Sequence, residues 1–206
     1  MAGNLKAESP KKRLVIGLSG ASGVAYGIRL LDAARDLGLE SHLVMSKAGE
    51  MTIGYETRLK PKQVAAKADY SYAIGDIAAP IASGSFRTEG MIIAPCSIRT
   101  MSEICTGVTT SLLTRAADVM LKERRPLILM VRETPLHLGH LRSLTQLAEM
   151  GAIILPPVPA FYASPRTLEE MVDQMVGRTL DLLGYDWPRV RRWGEDIAKS
   201  RRSKKS

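Results

Sequence analysis

The chain has 206 residues, 45% hydrophobic and 24% charged, which suits one globular domain with a core large enough to fold unaided. No apolar run approaches the ~18 residues typical of a membrane span, and residues 1–12 lack the apolar stretch of a secretory signal. The formal net charge of +8 comes from the two ends, because residues 14–198 carry no net charge, so nothing in the body of the chain favours nucleic-acid binding.

Charge and cysteine content together predict the domain organisation. We expect disordered basic tails over residues 1–12 and 196–206, on either side of a single domain over residues 13–195. The two cysteines, Cys96 and Cys105, have neither the number nor the spacing of a disulfide framework or a zinc site. They fit a reducing compartment, and we expect a cytoplasmic protein.

Strands and helices alternate along the sequence. Short apolar runs predict strands, which are expected over residues 13–18, 40–45, 91–94, 126–131 and 152–155, the third being stopped by Pro95. Helical spacing is expected over residues 24–37, 46–56, 97–121 with a break near Gly107, 137–150 and 168–183. Residues 60–83 predict only one helix and a loop. This order indicates an α/β fold, a doubly wound and mostly parallel sheet with helices on both faces, which binds ligands beyond the carboxyl ends of its strands.

Glycines and hydroxyls follow the first two predicted strands. Gly17, Gly20 and Gly23 are spaced G-x-x-G-x-x-G, which is not the dinucleotide fingerprint and fits either a tight turn or a ligand loop. The second strand ends in Ser46-Lys47, where a NAD-binding unit usually has a carboxylate for the ribose. A hydroxyl and a cation suit a phosphate, so this pair favours a mononucleotide.

Similar polar segments follow the later strands. Residues 95–100 carry hydroxyls and an arginine at a helix start, which fits an ordinary cap or, with Ser46 and Arg115, a phosphate cradle. Arg132-Glu133 fits either a solvated turn or a place for proton transfer beside a bound anion. His137 and His140 lack a third ligand, so no metal site is expected. A nucleophilic role for Cys96 has no support, because no base lies near it in sequence.

Several separated strings resemble one known family. They are GLSGASGVAYGIRLL from Gly17, SKAGE from Ser46, ASGSF from Ala82, IIAPCS from Ile92, RAADVMLKERRPLIL from Arg115, RETPLHLGHL from Arg132 and GAIILPPVPAFY from Gly151. In this order they resemble the UbiX-type flavin prenyltransferases, which have a Rossmann-like flavoprotein fold. The resemblance runs from about residue 13 to residue 195.

The resemblance implies an activity and an assembly. The family joins a dimethylallyl group from dimethylallyl monophosphate to N5 and C6 of reduced FMN, without a metal, at subunit interfaces of a homododecamer. The product, prenylated FMN, is the cofactor of UbiD-type decarboxylases. Sequence alone does not distinguish a monophosphate from a diphosphate donor, because the same cations hold both.

The resemblance also implies roles for individual residues. FMN would be held by Gly20, Ala21, Ser22, Ser46, Ser97, Thr100 and Arg115. The prenyl phosphate would be held by Lys122, Arg132, Tyr162 and Arg178. The reacting centre would be lined by Ser22, Glu56, Glu133, Ser83, Gly84 and Ser85. Ser22, Glu56 and Glu133 are the predicted catalytic residues, with Glu133 and the released phosphate as the candidates for proton transfer.

Two positions depart from the family pattern. Ile77 stands where some members have a tryptophan whose ring face could stabilise an allylic cation, and Thr110-Ser111 stands where many have Asp-Asn or Asn-Asn. Two alternatives remain open. One is a related FMN-dependent cysteine decarboxylase, although that family relies on a histidine on the helix after the second strand, and this chain has only His42 within the strand. The other is a flavin carrier without catalytic activity.

Overall fold

The computed structural model describes residues 11–196, and a six-stranded parallel sheet lies at the centre of this part of the chain. Its strands are β1 (Arg13–Leu18), β2 (Glu40–Met45), β3 (Tyr70–Tyr72), β4 (Gly90–Cys96), β5 (Leu127–Val131) and β6 (Ile153–Ile154), in the spatial order β3-β2-β1-β4-β5-β6. The chain order reverses between β1 and β4, and at such a switch point the loops at the carboxyl ends diverge and leave a crevice.

Seven helices cover the two faces of the sheet in the described residues. They are α1 (Val24–Asp36), α2 (Lys47–Glu56), α3 (Pro61–Ala65), α4 (Ile98–Cys105), α5 (Leu112–Lys122), α6 (Leu138–Glu149) and α7 (Leu168–Asp181). Short 3₁₀ turns occupy Pro80–Ala82 and Phe161–Ala163. The predicted α/β class is confirmed, as is the break near Gly107, which separates α4 from α5.

Two apolar layers sandwich the sheet. On one face, Leu14, Ile16 and Leu18 of β1 pack with residues of α1 and α7. On the other face, Val15 of β1 belongs to a cluster formed with α4, α5 and α6. Because both faces of the central strands are covered, their sequences are continuously apolar rather than alternating, which is the pattern that identified them.

The sequence-based prediction ended one strand too early and missed another strand. Pro95 does not stop β4, which continues to Cys96. The register of β4 against β5 shifts between Ile93 and Cys96, so Pro95 sits at an irregularity where no ladder N–H is required, and its carbonyl accepts from Ser19. The edge strand β3 was missed because its three residues, Tyr70–Tyr72, are too few to show a periodic pattern.

The predicted tails lie outside the described residues except for residues 11, 12 and 196. Within residues 11–196, no helix is long and apolar enough to cross a membrane.

Candidate functional site

A cavity of about 590 Å³ opens at the carboxyl ends of the central strands. Its lining comes from the segments that follow the first five strands, as expected for a doubly wound sheet, and from residues around the start of α5. Besides Gly20, the lining includes the polar residues Ser46, Lys47, Ser97, Arg99, Thr100, Glu103, Thr110, Ser111, Thr114 and Glu133. Five of the predicted site residues, namely Gly20, Ser46, Ser97, Thr100 and Glu133, therefore meet in one place.

Three helices begin at this cavity, each with a serine cap. The Ser46 hydroxyl accepts from the Gly49 N–H (3.0 Å) at the start of α2, and the Ser97 hydroxyl accepts from the Thr100 N–H (3.3 Å) at the start of α4. Ser111 caps α5 in the same way. Free N–H groups and the positive end of the helix dipole favour an anion at such starts, and here three of them converge.

The loop after β1 lies against the first turn of α2 with no room for a side chain. A Cβ added to Gly20 would fall less than 3.0 Å from the Ala48 Cβ and 3.2 Å from the Ala48 carbonyl carbon. A Cβ on Gly49 would fall 2.8 Å from the Leu18 carbonyl oxygen. These glycines bring the two loops together and leave backbone N–H groups at the cavity wall.

Ser19 holds two strand ends together and is completely buried. Its hydroxyl donates to the Pro95 carbonyl (2.9 Å) and accepts from the Ser97 N–H (2.7 Å). This hydroxyl fixes the β1 loop to the start of α4. It is therefore a positioning group for the cavity wall.

Glu56, at the end of α2, caps the start of α1. Its carboxylate accepts from the Gly23 N–H at 2.9 and 3.1 Å and from the Val24 N–H at 3.0 Å. A negative charge at a helix N-terminus is favourable, and these bonds tie the end of the glycine loop to α2. Between the two fixed ends of this loop lie Ala21 and Ser22, the latter exposed.

The cavity contains a second carboxylate that sequence reasoning missed. Glu103 of α4 is paired with Arg99 (2.9 Å) and accepts from the Thr110 hydroxyl (3.0 Å). The spacing of Arg99 and Glu103, four residues apart on a helix, was the available signal. The other carboxylate of the lining, Glu133, accepts the backbone N–H of Thr134 (2.9 Å).

A second group of predicted residues lies around the segment 82–86. Ser83 and Ser85 are exposed, with their hydroxyls 2.9 Å apart, and Gly84 lies beneath the side chains of Lys122 and Glu123. Arg115 donates to the Ala82 carbonyl (3.2 Å) and does not line the cavity in its own chain.

The remaining predicted residues are separated from both groups. Arg132 directly follows β5 and is exposed. Tyr162 packs edge to face with Trp193, their ring centroids 5.8 Å apart. Arg178 pairs with Asp181 in the last turn of α7, on the face of the sheet opposite α5. One chain alone does not bring Lys122, Tyr162 and Arg178 together.

The two departures from the family pattern differ in location. Ile77 is 69% exposed and does not line the cavity, whereas Thr110 and Ser111 do. Their hydroxyls are occupied, that of Thr110 by Glu103 and that of Ser111 by Thr114.

The described residues give no support to a metal site or to a nucleophilic role for Cys96. No group of three His, Cys, Asp or Glu side chains is placed to hold a metal within residues 11–196. His137 uses its Nδ1 to cap α6, with its ring stacked on His140 at 3.5 Å. Complete burial raises the pKa of the Cys96 thiol to about 12, which removes the thiolate needed for nucleophilic chemistry.

Known proteins are similar to this chain in both sequence and fold. The flavoprotein family matches residues 2–180. The flavin prenyltransferase UbiX of Escherichia coli strain K12 is 57% identical over 178 residues, which cover 86% of this chain and 94% of that protein.

Two solved structures have a similar fold. AnUbiX (PadA1), in complex with FMN and dimethylallyl pyrophosphate, superposes with a TM-score of 0.88 at 50% identity, covering 89% of this chain and 98% of that one. The dodecameric FMN-dependent Ubix-like decarboxylase of Escherichia coli O157:H7 gives a TM-score of 0.86 at 47% identity, with 88% and 98% covered. The chain therefore belongs to the flavoprotein family and, within it, to the UbiX flavin prenyltransferases.

Proposed function

We propose that this chain joins a dimethylallyl group from dimethylallyl phosphate to N5 and C6 of reduced FMN. The observation that carries the proposal is the convergence of three serine-capped helix starts on one cavity, in a chain that shares 57% identity with a flavin prenyltransferase over 94% of that protein. Prenylated FMN is the product.

The donor groups around the cavity fit FMN. Ser46, Ser97 and Thr100 offer hydroxyls and helix N–H groups to the phosphate, and the close packing of Gly20 on Ala48 leaves backbone to line the flavin rather than a side chain. In this proposal Gly20, Ala21 and Ser22 contact the flavin. Arg115 would contribute its guanidinium from a neighbouring copy, because it lies outside the cavity of its own chain.

The prenyl donor needs a cationic site. When the allylic C–O bond breaks, the phosphate leaves with the electron pair, and cations and a hydroxyl that meet it stabilise the developing charge. Lys122, Arg132, Tyr162 and Arg178 are the proposed groups, with Ser83–Ser85 beside them. They are distributed over separate parts of one chain, and a dodecamer like that of the Escherichia coli O157:H7 relative would supply them from neighbouring copies.

Proton transfer falls to a carboxylate at the cavity. The reduced flavin would supply the nucleophilic atoms N5 and C6. Forming the bond at N5 would release the N5 proton to the departing phosphate, and closing the new ring would add a proton to the alkene and remove one from C6. Glu133 lines the cavity and keeps one oxygen free of bonds to the described residues, so we assign the exchange of these protons to Glu133 and the released phosphate. Glu56 acts on the same centre by fixing the Gly20–Gly23 loop.

The two alternatives make different predictions. A cysteine decarboxylase would need its histidine on α2, and residues 47–56 contain none. A flavin carrier would bind FMN and release it unchanged. Anaerobic incubation with reduced FMN and dimethylallyl monophosphate, followed by mass spectrometry of the released flavin, decides the matter. A flavin heavier by one dimethylallyl unit is expected, and an unchanged mass with FMN bound would refute the proposal.

The setting of the reaction is part of the proposal. A homododecamer would create the donor sites, a UbiD-type decarboxylase would receive the product, and the cytoplasm would supply reduced flavin.

A further inference from the structure

The segment 82–86, which the proposed function places beside the prenyl phosphate, is held by two arginines. Arg125 donates to the carbonyl oxygens of Gly84 and Phe86, both at 2.6 Å, and Arg115 donates to that of Ala82 at 3.2 Å. The guanidinium groups are thereby oriented by backbone, which fixes the segment against α5 and leaves the hydroxyls of its two serines exposed.

The ammonium group of Lys122 is already paired. It lies 2.5 Å from the carboxylate of Glu123, and both side chains cover the backbone of Gly84 so closely that a Cβ there would overlap Glu123 and fall 2.7 Å from the Lys122 Nζ. The hydrogen bond from Lys122 lowers the pKa of the Glu123 carboxyl, so Glu123 is negatively charged at neutral pH. The pair therefore covers the glycine between the two serines.

Two carboxylates lie among the cations beside the segment. Arg115, Lys122 and Arg125 face the carboxylates of Asp118, 2.7 Å from Arg115, and of Glu123. A phosphate that binds the Lys122 ammonium competes with Glu123 for it, and Glu123 repels each negative charge that the phosphate brings.

We propose that Glu123 is the counter-ion of Lys122 and a specificity-determining residue, which favours a prenyl donor with one phosphate over a donor with two. The inference rests on the proposed function and adds a selectivity to it. A diphosphate carries more negative charge past the same carboxylate, so its binding is weakened more. Glu123 also keeps Lys122 paired before the donor arrives, so that other anions bind less readily.

The test compares the two donors on the assembled, FMN-loaded protein. Affinities for dimethylallyl monophosphate and dimethylallyl diphosphate are measured by calorimetry at low salt for the wild type, Glu123→Gln and Glu123→Ala. Glu169→Gln, an exposed residue at the start of α7 on the other face of the sheet, is the matched control. Both Glu123 variants should bind the monophosphate about threefold more tightly and the diphosphate about tenfold more tightly, and added salt should shrink both gains.

Each outcome separates the inference from the proposed function. Unchanged or weaker binding of both donors in the Glu123 variants, or an equal gain for both, would overturn the role of Glu123. Prenylated flavin is measured in parallel with each donor. Its absence in every variant, including the wild type, would refute the proposed function, whereas its formation with unaltered donor selectivity would refute only the role of Glu123.

Discussion

Replacing Gly20 with alanine tests whether the contact between the β1 loop and α2 builds the flavin cavity. The added Cβ would overlap the Ala48 Cβ and lie 3.2 and 3.3 Å from the carbonyl carbon and Cα of the same residue. Backbone atoms cannot rotate away, so the loop and the first turn of α2 must separate by about 1 Å to reach ordinary contact distances of ~3.5–4 Å. That separation moves the Ser46 cap away from the cavity.

Two magnitudes follow from this displacement. Overpacking of this kind costs about 1–3 kcal/mol of folding free energy, which lowers the Tm of a chain of this length by about 2–12 °C. The substitution should also weaken FMN binding, because a shift of about 1 Å breaks the alignment of the hydroxyl and N–H donors with the phosphate. We expect FMN affinity to fall at least tenfold, which corresponds to about 1.4 kcal/mol.

The assay pairs thermal unfolding with FMN titration followed by flavin fluorescence. Gly54→Ala is the matched control, because Gly54 lies in the last turn of α2 and a Cβ there meets nothing within 4 Å. The control should gain up to about 1 kcal/mol from helix propensity and bind FMN normally. A Gly20→Ala protein with the Tm and FMN affinity of the wild type would show that the loop contact does not shape the cavity.

Three further predictions concern groups away from this contact. Glu56→Ala removes the carboxylate that caps α1 and should cost about 1 kcal/mol in urea unfolding, with Glu56→Gln costing less; equal stability of all three proteins would contradict the capping role. Cys96, buried with its pKa raised to about 12, should react with a thiol reagent at pH 8 only after unfolding, and rapid labelling of the native protein at this residue would show that the site opens. Burial lowers the pKa of His42 below its ordinary 6.5, so folding favours the neutral ring, and stability should be full above pH 6.5 and fall as the pH drops below it. Urea unfolding at pH 7.5 and 5.5 should show a smaller loss of stability at the lower pH in His42→Gln than in the wild type. An equal loss in both proteins would assign the acid sensitivity to another group.

The agreement between sequence and fold follows from burial on both sides of the sheet. Strands such as β1 and β5 had to be apolar throughout, and the helices between them had to present one apolar face, so both patterns could be recognised locally. Short elements escaped this logic. β3 has only three residues, and the path of β4 past Pro95 depends on a register shift against β5 that no local signal encodes.

Part of the candidate site could also be predicted from the sequence. Hydroxyls directly after strands, such as Ser46 and Ser97, could be expected to meet because the carboxyl ends of parallel strands share one edge of the sheet. Glu103 was missed, since its one signal, the four-residue spacing from Arg99, is also typical of a solvated ion pair on a helix surface. Its contact with Thr110 exists only because α4 and the α5 start pack side by side.

The sequence by itself determined the α/β class, the order of the main elements and the mononucleotide character of the cavity, because these depend on periodicity and on residue types at strand ends. Tertiary structure decided which charges face one another. The sequence predicted Lys122 as a phosphate ligand, but only the folded chain shows it paired with Glu123 over Gly84. It also shows that Arg178 lies on the face of the sheet opposite Lys122. Electrostatic contacts depend on distances of a few ångströms between segments that are remote along the chain, and only folding sets those distances.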